Sequence, residues 1–141
     1  ITSQLNILTI PLLFWMIDFA YFSFAGKSLW GITDYFFIEL LIPARIISYE
    51  HLFLLPFGFF ALYLIKLKSK GAWKISLLQI TAVFFITYFL TAPDYNVNCV
   101  FSSCFPYVSD KSFYEVKWFA IIFSMTLITN FIVNKICIFK K

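Results

Sequence analysis

Lys66-Leu67-Lys68-Ser69-Lys70-Gly71-Ala72-Trp73-Lys74 sets four lysines in a short gap between two long apolar runs. Short loops rich in Lys and Arg stay on the cytoplasmic side of a membrane, so this stretch gives a direction to every apolar run around it. After the loop, residues 75–92 form one span, with Thr81, Thr87 and Tyr88 inside it and Pro93 as its stop. Before the loop, residues 51–67 form another, slightly short, in which Pro56 and Gly58 predict a kink.

The composition agrees with a membrane setting. Hydrophobic residues make up 62% of the 141 residues, aromatics 23% and charged residues 13%, with mean hydropathy +0.87. Soluble domains hold about 45–50% apolar and about 25% charged residues. The net charge of +4 does not point to nucleic acid, because the lysines sit beside apolar runs and serve as topology signals and headgroup contacts.

Residues 5–25 are apolar apart from Asn6, Thr9, Asp18 and Ser23. At about 1.5 Å per residue they cross a hydrocarbon core of about 30 Å. Ser23-Phe24-Ala25 has the form of a cleavage site, but the run before it is too long for a signal peptide and lacks a basic flank. It therefore reads as a retained span. A fourth span opens at Lys117 and Trp118 and covers residues 118–139, followed by Lys140 and Lys141.

The sequence thus predicts an all-α integral-membrane four-helix bundle, one domain over residues 1–141. The lysine loop, residues 68–74, lies in the cytoplasm, and residues 26–50 and 93–117 lie outside. Both termini are then cytoplasmic, and Lys135, Lys140 and Lys141 agree independently. Between the first two spans, residues 29–50 are apolar but carry Asp34, Glu39, Pro43 and Arg45. This segment reads as an interfacial helix anchored by Trp30, Tyr35 and Tyr49.

Asp18 is the sharpest single signal, since a carboxylate inside a span costs about 2.5–3.5 kcal/mol and needs a partner or a wet cavity. By depth, Thr87 and Tyr88 on the third span and Ser124 to Thr126 on the fourth are its expected solvating hydroxyls. Two readings stand side by side: a structural carboxyl joining helices, or a group that binds or moves a polar headgroup. On the fourth span Thr126, Asn130 and Asn134 recur every four residues and line one helix face. That face must meet protein or a cavity rather than lipid, and helix packing is the more common use.

Cys99 and Cys104 fall in the outer loop, where a disulfide persists, as a loop staple or as a redox-active pair. A thiol oxidoreductase needs a second pair as relay, and Cys137 stands alone at the opposite end. His51, beside Glu50, is the lone histidine, too little for a zinc or haem site and better read as an interfacial residue. No phosphate loop, nucleophile elbow or catalytic carboxylate pair is present, so no enzyme and no cofactor is expected.

The run Tyr114-Glu115-Val116-Lys117-Trp118-Phe119-Ala120, leading to Thr129-Asn130-Phe131-Ile132-Val133-Asn134-Lys135-Ile136-Cys137-Ile138-Phe139, resembles the last helix of the GtrA-like family of small four-span membrane proteins. Ile17-Asp18-Phe19 is similar to that family's first helix. The resemblance implies help in translocating or presenting polyprenyl-phosphate-linked sugars to glycosyltransferases, with Asp18, Lys117, Asn130, Asn134 and Lys135 as the matching positions. The chain departs from the family where its second span ends in Tyr63-Leu64-Ile65-Lys66 without an asparagine.

Three functions remain: a GtrA-like carrier-lipid protein, a non-catalytic subunit of a larger membrane assembly, and a membrane thiol oxidoreductase. The partners expected are the bilayer, polyprenyl phosphate, and either other membrane subunits or a glycosyltransferase.

Overall fold

A computed structural model gives an all-helical chain with four helices long and apolar enough to cross a membrane, an integral-membrane bundle. The structure describes residues 1–38, 42–66, 71–104 and 112–136. Lys68, Lys70, Lys140 and Lys141, which set the expected topology, and Cys137 lie outside the described residues.

The first span is α1, Thr2–Ala25, closed by Gly26 in the left-handed conformation (φ 70°) with its N–H on the carbonyl of Phe22. Glycine takes that conformation without a Cβ clash, which is why the helix stops there. Two short helices follow, α2 (Asp34–Ile38) and α3 (Ile42–Ser48), and then the second span α4 (Glu50–Ile65). The third span α5 is Ala72–Leu90 and the fourth, α6, is Tyr114–Lys135. Two 3₁₀ turns, Pro93–Tyr95 and Val97–Cys99, shape the loop between α5 and α6.

The boundaries differ from expectation by about a turn. Both α5 and α6 begin earlier than the apolar runs do, because Trp73, Lys74, Glu115 and Lys117 are tolerated in a first helical turn near the membrane surface. Pro56 and Gly58 both sit inside a continuous α4. The segment between the first two spans corrects the expectation of one interfacial helix. Asp34 and Arg45 lie on separate helices, with Pro43 in the first turn of α3, where its missing N–H costs nothing. Only Tyr49 separates α3 from α4, and its N–H donates to Arg45 (3.2 Å), so the apolar helical stretch runs over Arg45–Ile65.

The expected headgroup anchors also touch the bundle, while Tyr35 and Tyr49 stay 36% and 44% exposed. Tyr35 accepts a hydrogen bond from the Trp15 indole (3.0 Å), the Tyr49 ring stands 5.2 Å from Phe36, and Trp30 packs edge-on against Phe14 at 5.1 Å. Each finds an aromatic partner on α1 or α2, which fixes where its ring stands on the bundle.

α1 is the hub: α4, α5 and α6 all pack against it, and α5 packs against α6. One apolar cluster joins α1, α4 and α6 through Leu5, Leu12, Leu55, Leu62 and Val133. Gly58 makes the α1–α4 contact close, since a Cβ there would stand 2.8 Å from Leu5 Cδ2. A second cluster, Ile80, Phe84, Val100, Tyr114 and Trp118, joins α5, α6 and the cysteine loop.

Candidate functional site

Asp18 is fully buried, and its carboxylate is closed off by a loop rather than by the other spans. Oδ1 accepts from the backbone N–H of Leu29 (2.8 Å) and Trp30 (2.7 Å). Oδ2 accepts from the N–H and the hydroxyl of Thr33, both at 2.8 Å. Gly31, at φ +81°, lets the chain turn tightly enough to bring the N–H groups of Leu29, Trp30 and Thr33 to one carboxylate. This corrects the expected solvation by Thr87, Tyr88 and Ser124 to Thr126. The loop of residues 26–33 folds back onto α1 and reaches the carboxylate before the neighbouring helices can.

The fourth-span stripe takes part in a second polar cluster near the lysine-loop end. Buried Asn6 on α1 donates to Asn130 Oδ1 (3.2 Å) and lies 3.4 Å from Ser76 Oγ on α5. Ser76 in turn donates to the carbonyl of Ser3 or Ala72, and Ser3 donates to Gln79 (2.7 Å). Thr126 and Thr129 are buried with hydroxyls that meet no partner among the described residues. Of the predicted stripe, Asn130 thus binds across helices, while Asn134 donates to its own helix at the carbonyl of Asn130 (2.8 Å). Ser124 is exposed and does not join. Lys117 is half-buried in the first turn of α6, and Lys135 closes that helix with Nζ 5.4 Å from the Phe131 ring. The resemblance-based set is therefore dispersed: Asp18 and Lys117 stand at one end of the bundle, and Asn130, Asn134 and Lys135 at the other.

Cys99 and Cys104 form a disulfide with Cα atoms 5.6 Å apart. Asn96 organises the loop it closes, its Oδ1 accepting from Phe101 and Ser102 N–H (both 3.0 Å) and its Nδ2 donating to the Ser102 carbonyl. Asn98 then ties the loop to the spans. It donates to Thr87 Oγ1 (3.1 Å), and its carbonyl accepts from the Trp118 indole (3.1 Å), while Tyr114 donates to the carbonyl of Cys99. A covalent loop pinned to two helices in this way fits a staple.

Replacing Cys99 by serine is expected to cost about 2 kcal/mol for so short a closed loop. Thermal unfolding in detergent should show the loss, and hydrogen exchange should speed up at the Phe101 and Ser102 amides.

The His51 ring lies 4.9 Å from that of Trp15, tilted by 32°, and Nδ1 donates to the carbonyl of Ser48 (2.9 Å). Among the described residues no three His, Cys, Asp or Glu side chains gather as a metal site. The residues that sequence reasoning passed over are Asn6, Ser76, Thr33 and Asn98. Asn6 carried a signal, since an amide inside a span demands a partner, but the match in depth with Asn130 shows only once α1 begins at Thr2 and α6 ends at Lys135.

Comparison with family models, with curated proteins and with solved structures finds no match to this chain.

Proposed function

We propose that this chain is a non-enzymatic, membrane-embedded subunit of a larger assembly, with the lysine loop and both termini on the cytoplasmic side. The observation that carries the reading is the sealing of Asp18. Its two oxygens take four donors from the protein's own loop, so the strongest polar group in the spans is spent on architecture. Asn6, Ser76 and Asn130 are spent in the same way, as interhelical hydrogen bonds.

Extraction in mild detergent followed by native mass spectrometry tests it. The expected species is a stoichiometric complex with other membrane polypeptides, and a lone chain would remove the reading. Labelling of a cysteine in place of Ser69 by a membrane-impermeant maleimide checks the orientation, with reaction expected only from the cytoplasmic face.

A carrier-lipid role is the second reading. It draws support from the exposed Lys66, Lys74 and Lys135 at the end of the bundle where Asn130 and Asn134 lie. A bound polyprenyl-phosphate sugar in the same experiment, weakened by Lys117→Ala or Lys135→Ala, would establish it instead.

A further inference from the structure

The Asn6 contacts to Ser76 and Asn130 set α1, α5 and α6 level with one another near the lysine-loop end. Counting about 1.5 Å per residue from those contacts, α5 rises about 21 Å to Leu90 and α6 about 24 Å to Tyr114. Trp15 stands about 14 Å above Asn6 on the same scale. His51 is level with Trp15 because their rings are 4.9 Å apart. Glu50, its neighbour, therefore sits about 7–10 Å below the cysteine-loop ends of α5 and α6, within the depth of the spans.

Glu50 is exposed there, and among the described residues it meets no hydrogen-bond or ion-pair partner. It lines a lateral furrow of about 610 Å³ between α1 and α4, whose other walls include Leu5, Leu8, Phe53, Leu54 and Phe57. A glutamate side chain is too short to bring its carboxyl from that depth to the headgroups. Ionisable groups inside membranes occur almost always paired.

The surface around Glu50 has the pattern of a helix-packing face. Phe53, Phe57, Phe60 and Leu64, spaced by four, three and four residues, are 54%, 65%, 58% and 61% exposed and form one stripe on α4. Among the long helices α4 packs chiefly on α1. Hydrocarbon covers an apolar stripe equally well but offers a carboxylate no donor.

We infer that the α1–α4 furrow is the docking face for a spanning helix of a partner polypeptide that presents a lysine or arginine to Glu50. This names the surface and the chemistry of the assembly proposed above and rests on that reading.

The test uses the full chain in its own membrane, with a photo-crosslinking residue at Leu54 in the furrow or at Leu78, 71% exposed on α5. The Leu54 probe should capture a polypeptide that mass spectrometry places at a spanning helix carrying Lys or Arg, and the Leu78 probe should not. Glu50→Gln should lower capture about 3- to 20-fold, the range of an interhelical polar contact in a membrane. Glu50→Lys should abolish capture, and a Glu in place of the partner's cation should restore it. Both variants should keep the thermal midpoint of the isolated bundle, since Glu50 holds nothing within it.

Capture of lipid alone, of a helix without a cation, or of a second copy of this chain would overturn the inference, as would capture indifferent to both Glu50 variants. A complex that crosslinks from Leu78 but not Leu54 would defeat this inference and leave the parent reading standing. A chain that runs alone would defeat both.

Discussion

Replacing Asp18 by alanine is expected to cost about 3–5 kcal/mol and to free the loop between the first two spans. Four donors lose their acceptor at once. Leu29 is 46% exposed, so its N–H can turn to water. Thr33 is fully buried and brings both its N–H and its hydroxyl, and each buried unsatisfied group costs about 1–3 kcal/mol. Loss of acceptors bearing charge sets the upper part of the range, since hydrogen bonds to charged groups run to about 1.5–3 kcal/mol. Asp18→Asn should fall between wild type and alanine, because it keeps one acceptor oxygen and turns an amide N–H₂ toward two donors.

The readout is hydrogen exchange at Leu29, Trp30 and Thr33 in a lipid nanodisc, together with the thermal midpoint. Each 1.4 kcal/mol of local stability is a tenfold change in exchange of a protected amide. Unchanged protection in the alanine variant would mean that the loop is held by its aromatic contacts, Phe14 with Trp30 and Phe22 with Phe37, rather than by the carboxylate.

The spans were legible in the sequence because a membrane imposes one strong rule: backbone groups in hydrocarbon must be paired within the chain, and a long apolar run does so as a helix. Helix ends were less legible, since Lys74 and Lys117 lower hydropathy without ending a helix whose first turn sits at the surface. Asp18 was legible as a group in need of partners, but the partners were not, because three are backbone N–H groups that no side-chain pattern advertises. The same limit applied to the cysteine loop. Its two cysteines announced a closed loop, while Asn96 and Asn98, which fold it, looked like ordinary polar loop residues. The contact of His51 with Trp15 was not legible either, because it is fixed by how α4 lies on α1.

Trp118→Ala carries the second large effect, about 3–5 kcal/mol from the lost ring volume alone. The ring is 6% exposed and stands 4.9 Å from Phe84 on α5, beneath Val100 of the cysteine loop, which is fully buried. Its removal opens a cavity where α5, α6 and the loop meet. It also strips the Asn98 carbonyl of its donor, a further 1 kcal/mol or so. Trp118→Phe separates the two contributions, since most of the volume stays and only the indole N–H goes; a loss of about 1–1.5 kcal/mol is expected.

Because the disulfide and the indole hold the same loop, their effects should not add. With Cys99→Ser already in place, the loop carbonyl is free to move toward water, and Trp118→Phe should then cost less than it does alone. A double-mutant cycle on thermal unfolding reads that coupling, which for groups sharing one network runs from about 0.5 to 3 kcal/mol. Strict additivity would mean that the indole contributes through packing alone. The Asn98 backbone would then owe its position to the side-chain bond to Thr87, and Asn98→Ala would become the variant that releases the loop.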